Sequence, residues 1–182
     1  MNRRTAFVAL ALSLTLGTSA ARAADANTVF LDTKDGRVTI ELRPDIAPKH
    51  VKQLMTLIGQ GFYNGLKFHR VMDGFMAQTG DPKGNGTGGS SLPDIPAEFS
   101  SAQFRRGTVG MARSSDPNSA NSQFFICLGD ASFLNGQYTV VGLVSDGMDV
   151  VDKIKKAAPG AAGGAVQNPD KIVKMQLAEK AK

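Results

Sequence analysis

From residue 24 onward the apolar residues come in runs of a few positions, each closed by glycine, proline, asparagine or aspartate. Twenty glycines are spread over the 182 residues. Such punctuation leaves room for short strands and tight turns and little room for long helices. "NTVFLDTKDGRVTIEL" reads as a hairpin around Asp35-Gly36, with Val38, Ile40 and Leu42 alternating against Arg37, Thr39 and Glu41. The period changes at Pro48: Val51, Leu54, Met55 and Ile58 fall at i, i+3, i+4 and i+7, a helix ending near Gly59 or Gly61, with His50 on its polar side. "LKFHRV", "FMAQTG", "GTVGMA", "SQFFICL" and "YTVVGLV" read as strands, Asp146 to Lys156 as a second helix, and "KIVKMQL" as a closing strand. "AAPGAAGGAVQNP", residues 157–169, has the composition of a surface loop. Together these predict a mainly β domain, a closed or nearly closed antiparallel barrel with a helix at each end.

The N-terminus has a different grammar. Arg3 and Arg4 precede an apolar run from Phe7 to Leu16, and small residues then lead to Ala21-Arg22-Ala23. That is the pattern of a secretory signal peptide, residues 1–23, cleaved after Ala23, and its apolar run is too short for a membrane anchor. The expectation is export to the bacterial periplasm as one domain, residues 24–182, without stable membrane insertion. Lys and Arg number 21 against 16 Asp and Glu; removal of Arg3, Arg4 and Arg22 leaves 18 against 16. So small an excess, with no basic run or helix face, makes no case for nucleic acid. Cys127 is the single cysteine, so no disulfide can form within the chain, and in "FFICLG" it reads as a small buried hydrophobe.

Most chemical classes lack their residues. "GNGTGG", residues 84–89, satisfies the letter of a dinucleotide fingerprint, but Pro93 and Pro96 follow where a helix must begin, so it reads as a glycine-rich loop. His50, His69 and Cys127 have no metal-ligand spacing, and no metal or cofactor is expected. The serines of "ARSSDPNSANS" sit in turn-forming company rather than in a nucleophile elbow. A Ser-His-Asp triad using His69 is not barred by spacing alone. What remains is a set of polar groups among apolar ones: Arg70 and Gln78 near Phe75 and Met76, and Gln123 near Phe125. If the strands on either side of Asp73-Gly74 pair as a hairpin, Arg70 and Gln78 reach one face. The pattern equally allows Arg70 as a surface charge lying over apolar neighbours.

"FHRVMDGFMAQTGDP", "GNGTGG", "GMARSSDPNSANSQFFI" and "FLNGQYTVVGLV" resemble the successive signature blocks of cyclophilins, the cyclosporin-binding peptidyl-prolyl cis-trans isomerases. The resemblance runs from the first hairpin to the final strand and, with the export signal, points to a periplasmic member. It implies a closed eight-stranded antiparallel barrel capped by two α-helices. It assigns catalysis to Arg70, with Gln78 orienting it and touching substrate. It implies a proline pocket of Phe75, Met76, Phe125, Leu134 and Tyr138. It places the peptide groove at Ala112, Arg113, Ser114, Gln123 and Phe133. The implied partners are proline-containing, unfolded or partly folded polypeptides; a small barrel with no obvious apolar seam is, for its part, most simply a monomer. The alternative is a chaperone-like peptide-binding module with the same groove and little turnover. Phe133 and Tyr138 stand where the best-known eukaryotic members have tryptophan and histidine. Phenylalanine lacks the indole N–H that contributes to cyclosporin binding, so weakened cyclosporin affinity with retained catalysis is expected. Arg113 replaces an asparagine that acts through its backbone, and Asp73 replaces a common turn proline. His69 is expected to be a packed structural residue facing away from Arg70.

Overall fold

The computed structural model describes residues 26–180, and the leader expected at residues 1–23 lies outside them. Eight strands form one antiparallel sheet: β1 Thr28–Thr33, β2 Gly36–Leu42, β3 Arg70–Met72, β4 Met76–Thr79, β5 Thr108–Met111, β6 Phe124–Cys127, β7 Val140–Asp146 and β8 Lys174–Leu177. Their spatial order is β3-β4-β6-β5-β7-β2-β1-β8. Helix α1, Pro48–Gly59, and the short α2, Met148–Lys153, pack against the sheet. The first hairpin forms with Val29 opposite Ile40 and Leu31 opposite Val38, all buried, so the alternation in the sequence becomes one inward face.

The sheet is curled but open, which corrects the expectation of a closed barrel. Neither β3 nor β8 pairs with the other; residues 157–172 lie in the gap instead. Ala157 N–H donates to Val71 O (2.9 Å), Val166 N–H to His69 O (3.0 Å), and Phe68 N–H to Asp170 O (2.9 Å). The composition explains why this is no ladder. Pro159 and Pro169 lack an N–H, and Gly160, Gly163, Gly164 and Asn168 adopt positive φ, so successive residues cannot alternate as strand partners. The stretch read as a surface loop is therefore the seam of the domain.

The helices follow their sequence signals with two corrections. Proline opens α1, and Val51, Leu54, Leu57 and Ile58 are buried beneath it. His50, expected on the polar side, is fully buried. Its Nδ1 lies 2.6 Å from Glu98 Oε2, and Glu98 also accepts the N–H groups of Lys49 and His50 at 3.1 Å each. A carboxylate 48 residues away thus caps the helix and covers the imidazole, a long-range partner that helical periodicity cannot reveal. α2 spans less than residues 146–156 and begins after Gly147, whose φ of 87° and closeness to Arg37 O exclude a side chain.

Burial holds the pKa of His50 below its ordinary 6.5, against the pull of Glu98, so the neutral ring is the form the fold prefers. His69 is depressed for the same first cause. A base with a depressed folded pKa binds fewer protons folded than unfolded, so its contribution is full above the unfolded value and is lost as pH falls below it. Folding stability should therefore decline as pH drops from 7 to 5. Urea unfolding midpoints across that range check this, and His50→Gln should show a shallower decline than the wild-type chain.

Candidate active site

The hairpin of β3 and β4 turns at Asp73-Gly74, with Gly74 at φ 67°, and pairs Arg70 with Gln78 and Met72 with Met76. That register puts the guanidinium and the amide on one face. Arg70 Nη1 donates to Gln78 Oε1 at 3.1 Å, and Gln78 Nε2 donates to Gln123 Oε1 at 2.8 Å. Gln123 Nε2 in turn reaches the carbonyls of Gly86 (3.1 Å) and Gly88 (2.7 Å). The glycine-rich loop is thus the terminus of a relay that starts at the arginine. Asp81, almost fully buried, fastens that loop by accepting the N–H groups of Lys83, Asn85 and Gly86. Burial pushes the Asp81 carboxyl up, but these backbone donors outweigh it and hold its pKa below the usual range.

Beside the relay lies an apolar recess. Met76, Phe125 and Leu134 are buried in its floor with Phe104, while Phe75 and Tyr138 pack at its edge. Phe104 stacks on Phe125 at 5.8 Å between centroids, and Phe125 meets Tyr138 edge-on at 6.0 Å. Gly110, opposite Phe125 in the ladder, makes this stack possible: a Cβ there would lie 2.5 Å from Phe104 and 2.6 Å from Phe125. Phe133 leans on Phe75 at 5.2 Å and is 63% exposed at the rim.

The predicted site residues converge. Arg70, Gln78, Phe75, Met76, Phe125, Phe133, Leu134, Tyr138, Ala112 and Arg113 line one cavity of about 720 Å³. Ser114 and Gln123 line an adjoining pocket of about 530 Å³, which shares Gln78, Gly86, Ala112 and Arg113 with the first. Along the shared ridge, Ala112 N–H pairs with Gln123 O (3.0 Å) and Ser114 N–H with Ser119 Oγ (2.9 Å).

Sequence reasoning missed one wall. Arg70 Nε donates to Gly163 O at 2.7 Å, and Ala162, Gly163, Ala165 and Val166 line the main cavity. Gly164 sits at φ 77°, and a Cβ on it would lie 2.4 Å from Met72 Cγ. The only available signal was the Gly163-Gly164 pair inside a run of alanines. Met72 was missed as well; its Sδ lies 3.4 Å from Arg70 Nη2. His69 is packed as expected, 7% exposed, but it also contributes to the cavity wall, and neither ring nitrogen has a hydrogen-bond partner among the described residues. Cys127 lies under the recess, its thiol pushed up to about 12 by burial and then by the charge of Asp130, so it stays protonated.

The family model for the cyclophilin type peptidyl-prolyl cis-trans isomerase matches residues 28–177. The chain belongs to that family. A probable peptidyl-prolyl cis-trans isomerase of Brucella suis is 60% identical over 94% of this chain and 92% of its own. Among solved structures, a cyclophilin from Hirschia baltica is similar with a TM-score of 0.76 at 26% identity, covering 94% of this chain and 83% of that one. A Cryptosporidium parvum cyclophilin type isomerase, solved in the presence of the dipeptide Ala-Pro, gives 0.74 at 29% identity over 82% and 98%. As in any cyclophilin, the question is how the site meets a proline, and here the Gly163-Gly164 wall fixes the arginine from behind.

Gly164→Ala should leave the chain folded yet displace Met72 and loosen the Gly163 contact to Arg70. Prolyl isomerisation is expected to fall by about 3- to 10-fold in kcat/KM, the effect of a positive-φ strain of about 1 kcal/mol acting at the arginine. A protease-coupled or direct peptide assay with a thermal melt alongside separates this from unfolding.

Proposed function

We propose that this chain isomerises X-Pro peptide bonds with Arg70 as the catalytic group, and that it does so on exported polypeptides in the periplasm. The observation that carries the reading is the donor account of Arg70. Its guanidinium has five N–H groups; Nε is committed to Gly163 O and one Nη1 hydrogen to Gln78 Oε1. Of the remaining three, one on Nη2 meets Met72 Sδ at 3.4 Å and one on Nη1 meets Met76 Sδ at 3.9 Å, both weak acceptors, and the third has no acceptor among the described residues. The arginine is therefore held rigidly while still offering donors at the wall of an apolar recess.

Those donors suit the reaction. The barrier to X-Pro rotation, about 20 kcal/mol, comes from amide resonance. Twisting the bond breaks that resonance and returns a lone pair to the prolyl nitrogen, which then accepts a hydrogen bond it could not accept when planar. A fixed donor that meets the nitrogen only in the twisted state stabilises the transition state above the ground state. Phe75, Met76, Phe125 and Leu134 hold the pyrrolidine ring, so the acyl side of the bond rotates while the prolyl side stays put. The ridge at Ala112, Arg113 and Ser114 supports the peptide on the way in. Gln78, braced by Gln123, keeps the guanidinium in plane without adding a negative charge that would compete for it. No proton moves and no covalent bond forms.

The periplasmic setting rests on the basic start, apolar run and A-x-A site of residues 1–23. Folding clients there present proline bonds whose spontaneous isomerisation takes tens of seconds or longer. One chain supplies both cavities, so the site is complete in a monomer.

Arg70→Ala should lower kcat/KM for a proline tetrapeptide by about 100-fold or more, the usual scale for removing one preorganised donor from a developing charge. Equal activity of the variant and the wild type would refute the assignment, and no acceleration by the wild type would refute the enzyme. Cyclosporin should inhibit weakly, because Phe133 presents an apolar ring at the rim with no N–H to donate. Phe133→Trp is expected to tighten inhibition by roughly 10-fold, about the 1–1.5 kcal/mol of one gained hydrogen bond.

A further inference from the structure

Arg113 sits on the ridge between the two cavities and contributes to the lining of both. Its guanidinium carbon lies 4.4 Å from the centroid of the Tyr138 ring. Nη1 donates to Ser114 O (2.9 Å) and Ser115 O (3.3 Å), and Nη2 to Gln137 O (2.9 Å). Every one of these partners is neutral, and Nε has no acceptor among the described residues. No carboxylate lies within ion-pair distance of Arg113 among the described residues, in contrast to Arg37, Arg43 and Arg106, each paired with an aspartate. The planar fork is thus fixed in place by carbonyls and a ring face, with its positive charge uncompensated.

The surroundings have the same sign. The titratable groups lining the main cavity are His69, Arg70, Arg113 and Tyr138, with no Asp or Glu among them. The one acidic group in the adjoining pocket is Asp94, whose Oδ1 already accepts from Asn121 Nδ2 at 2.9 Å. Asp116, on the following turn, accepts the Asn118 N–H at 2.9 Å. A peptide whose proline fills the recess passes from one cavity to the other across Ala112 to Ser114, and at about 3.5 Å per extended residue its side chains come beside Arg113 within two positions of the proline.

We propose that this isomerase, given the catalytic reading above on which the inference rests, selects proline segments carrying an acidic side chain within two residues of the proline on the side that crosses the ridge, and that Arg113 sets the preference. The arginine is pre-ordered, so an incoming carboxylate meets a charge that costs little further conformational entropy to recruit. The same charge disfavours lysine or arginine at that position.

The test is a set of proline pentapeptides with Glu, Gln or Lys at each of the two positions before the proline and the two after it. kcat/KM is measured for wild type, Arg113→Gln and Arg113→Lys, and binding of the same peptides is followed by fluorescence anisotropy. The expected result is one position at which wild type favours Glu over Lys by about 3- to 10-fold, shrinking in 0.5 M salt as roughly 4 Å screening sets in. Arg113→Gln should bring that ratio near unity whatever it does to the absolute rate, and Arg113→Lys should keep most of it. Ratios near unity at every position in wild type overturn the inference, as does a preference that survives Arg113→Gln. If even an all-alanine proline peptide is not accelerated, the isomerase reading fails on its own, and the binding ratios still decide whether Arg113 selects acidic segments.

Discussion

The hydrogen-bonded chain from Arg70 through Gln78 and Gln123 to the carbonyls of Gly86 and Gly88 is the constraint around which the functional face is arranged. It crosses three separately encoded pieces of sequence, the β3–β4 hairpin, the entry to β6 and the glycine-rich loop. Each amide both accepts and donates, so its orientation is specified by its two neighbours and not by packing alone. Fastening the loop by Asp81 completes the anchor, since a carboxylate that collects several backbone donors leaves the loop few alternatives. The arginine is held by a scaffold as rigid as the sheet itself, which a catalyst acting only by geometry requires.

The apolar half of the site depends on the sheet in a different way. Gln78 stands opposite Phe125 between β4 and β6, and Gly110 stands opposite Phe125 between β5 and β6. One register therefore sets the polar relay and the depth of the recess together. A slip of one residue in β6 would turn Phe125 to the other face and bring Phe124 or Ile126 in its place. Gly110 then decides whether the ring can lie flat on Phe104, because any side chain at that position would occupy the space of the stack. The recess is shaped by a glycine that never touches what it holds.

Much of this was legible from local pattern. The β1–β2 hairpin, α1 and the Arg70–Gln78 pairing each depend on alternation, a 3.6-residue period or a turn signal within about ten residues. The family blocks named the residues of the recess, and the fold brings them together in one place. What escaped depends on partners distant in sequence. His50 looked polar because Glu98, its cover, is 48 residues away. Residues 157–169 looked like a surface loop because small residues carry no periodicity. Their contacts to β3 are made by backbone groups, which every residue possesses and no side-chain pattern records. The closed barrel was expected because the strand count suits one, and it fails where Pro159, Pro169 and the positive-φ glycines cannot keep a ladder.

That opening has a consequence for how charge is used. A continuous ladder between β3 and β8 would have consumed the carbonyls of the seam, whereas the irregular segment turns Gly163 O toward the Arg70 side chain. Three arginines elsewhere among the described residues are matched to carboxylates: Arg37 to Asp32, Arg43 to Asp45 and Arg106 to Asp152, all at the surface, where such pairs contribute little to stability. The two arginines of the groove are held by carbonyl and amide oxygens and by an aromatic face. Neutral acceptors fix the direction of a guanidinium while leaving its charge for whatever enters. A carboxylate in their place would have fixed the arginine as well and left it with less to offer a twisting amide or an acidic neighbour of proline. Which oxygen holds the arginine thus separates a surface ion pair from a working donor.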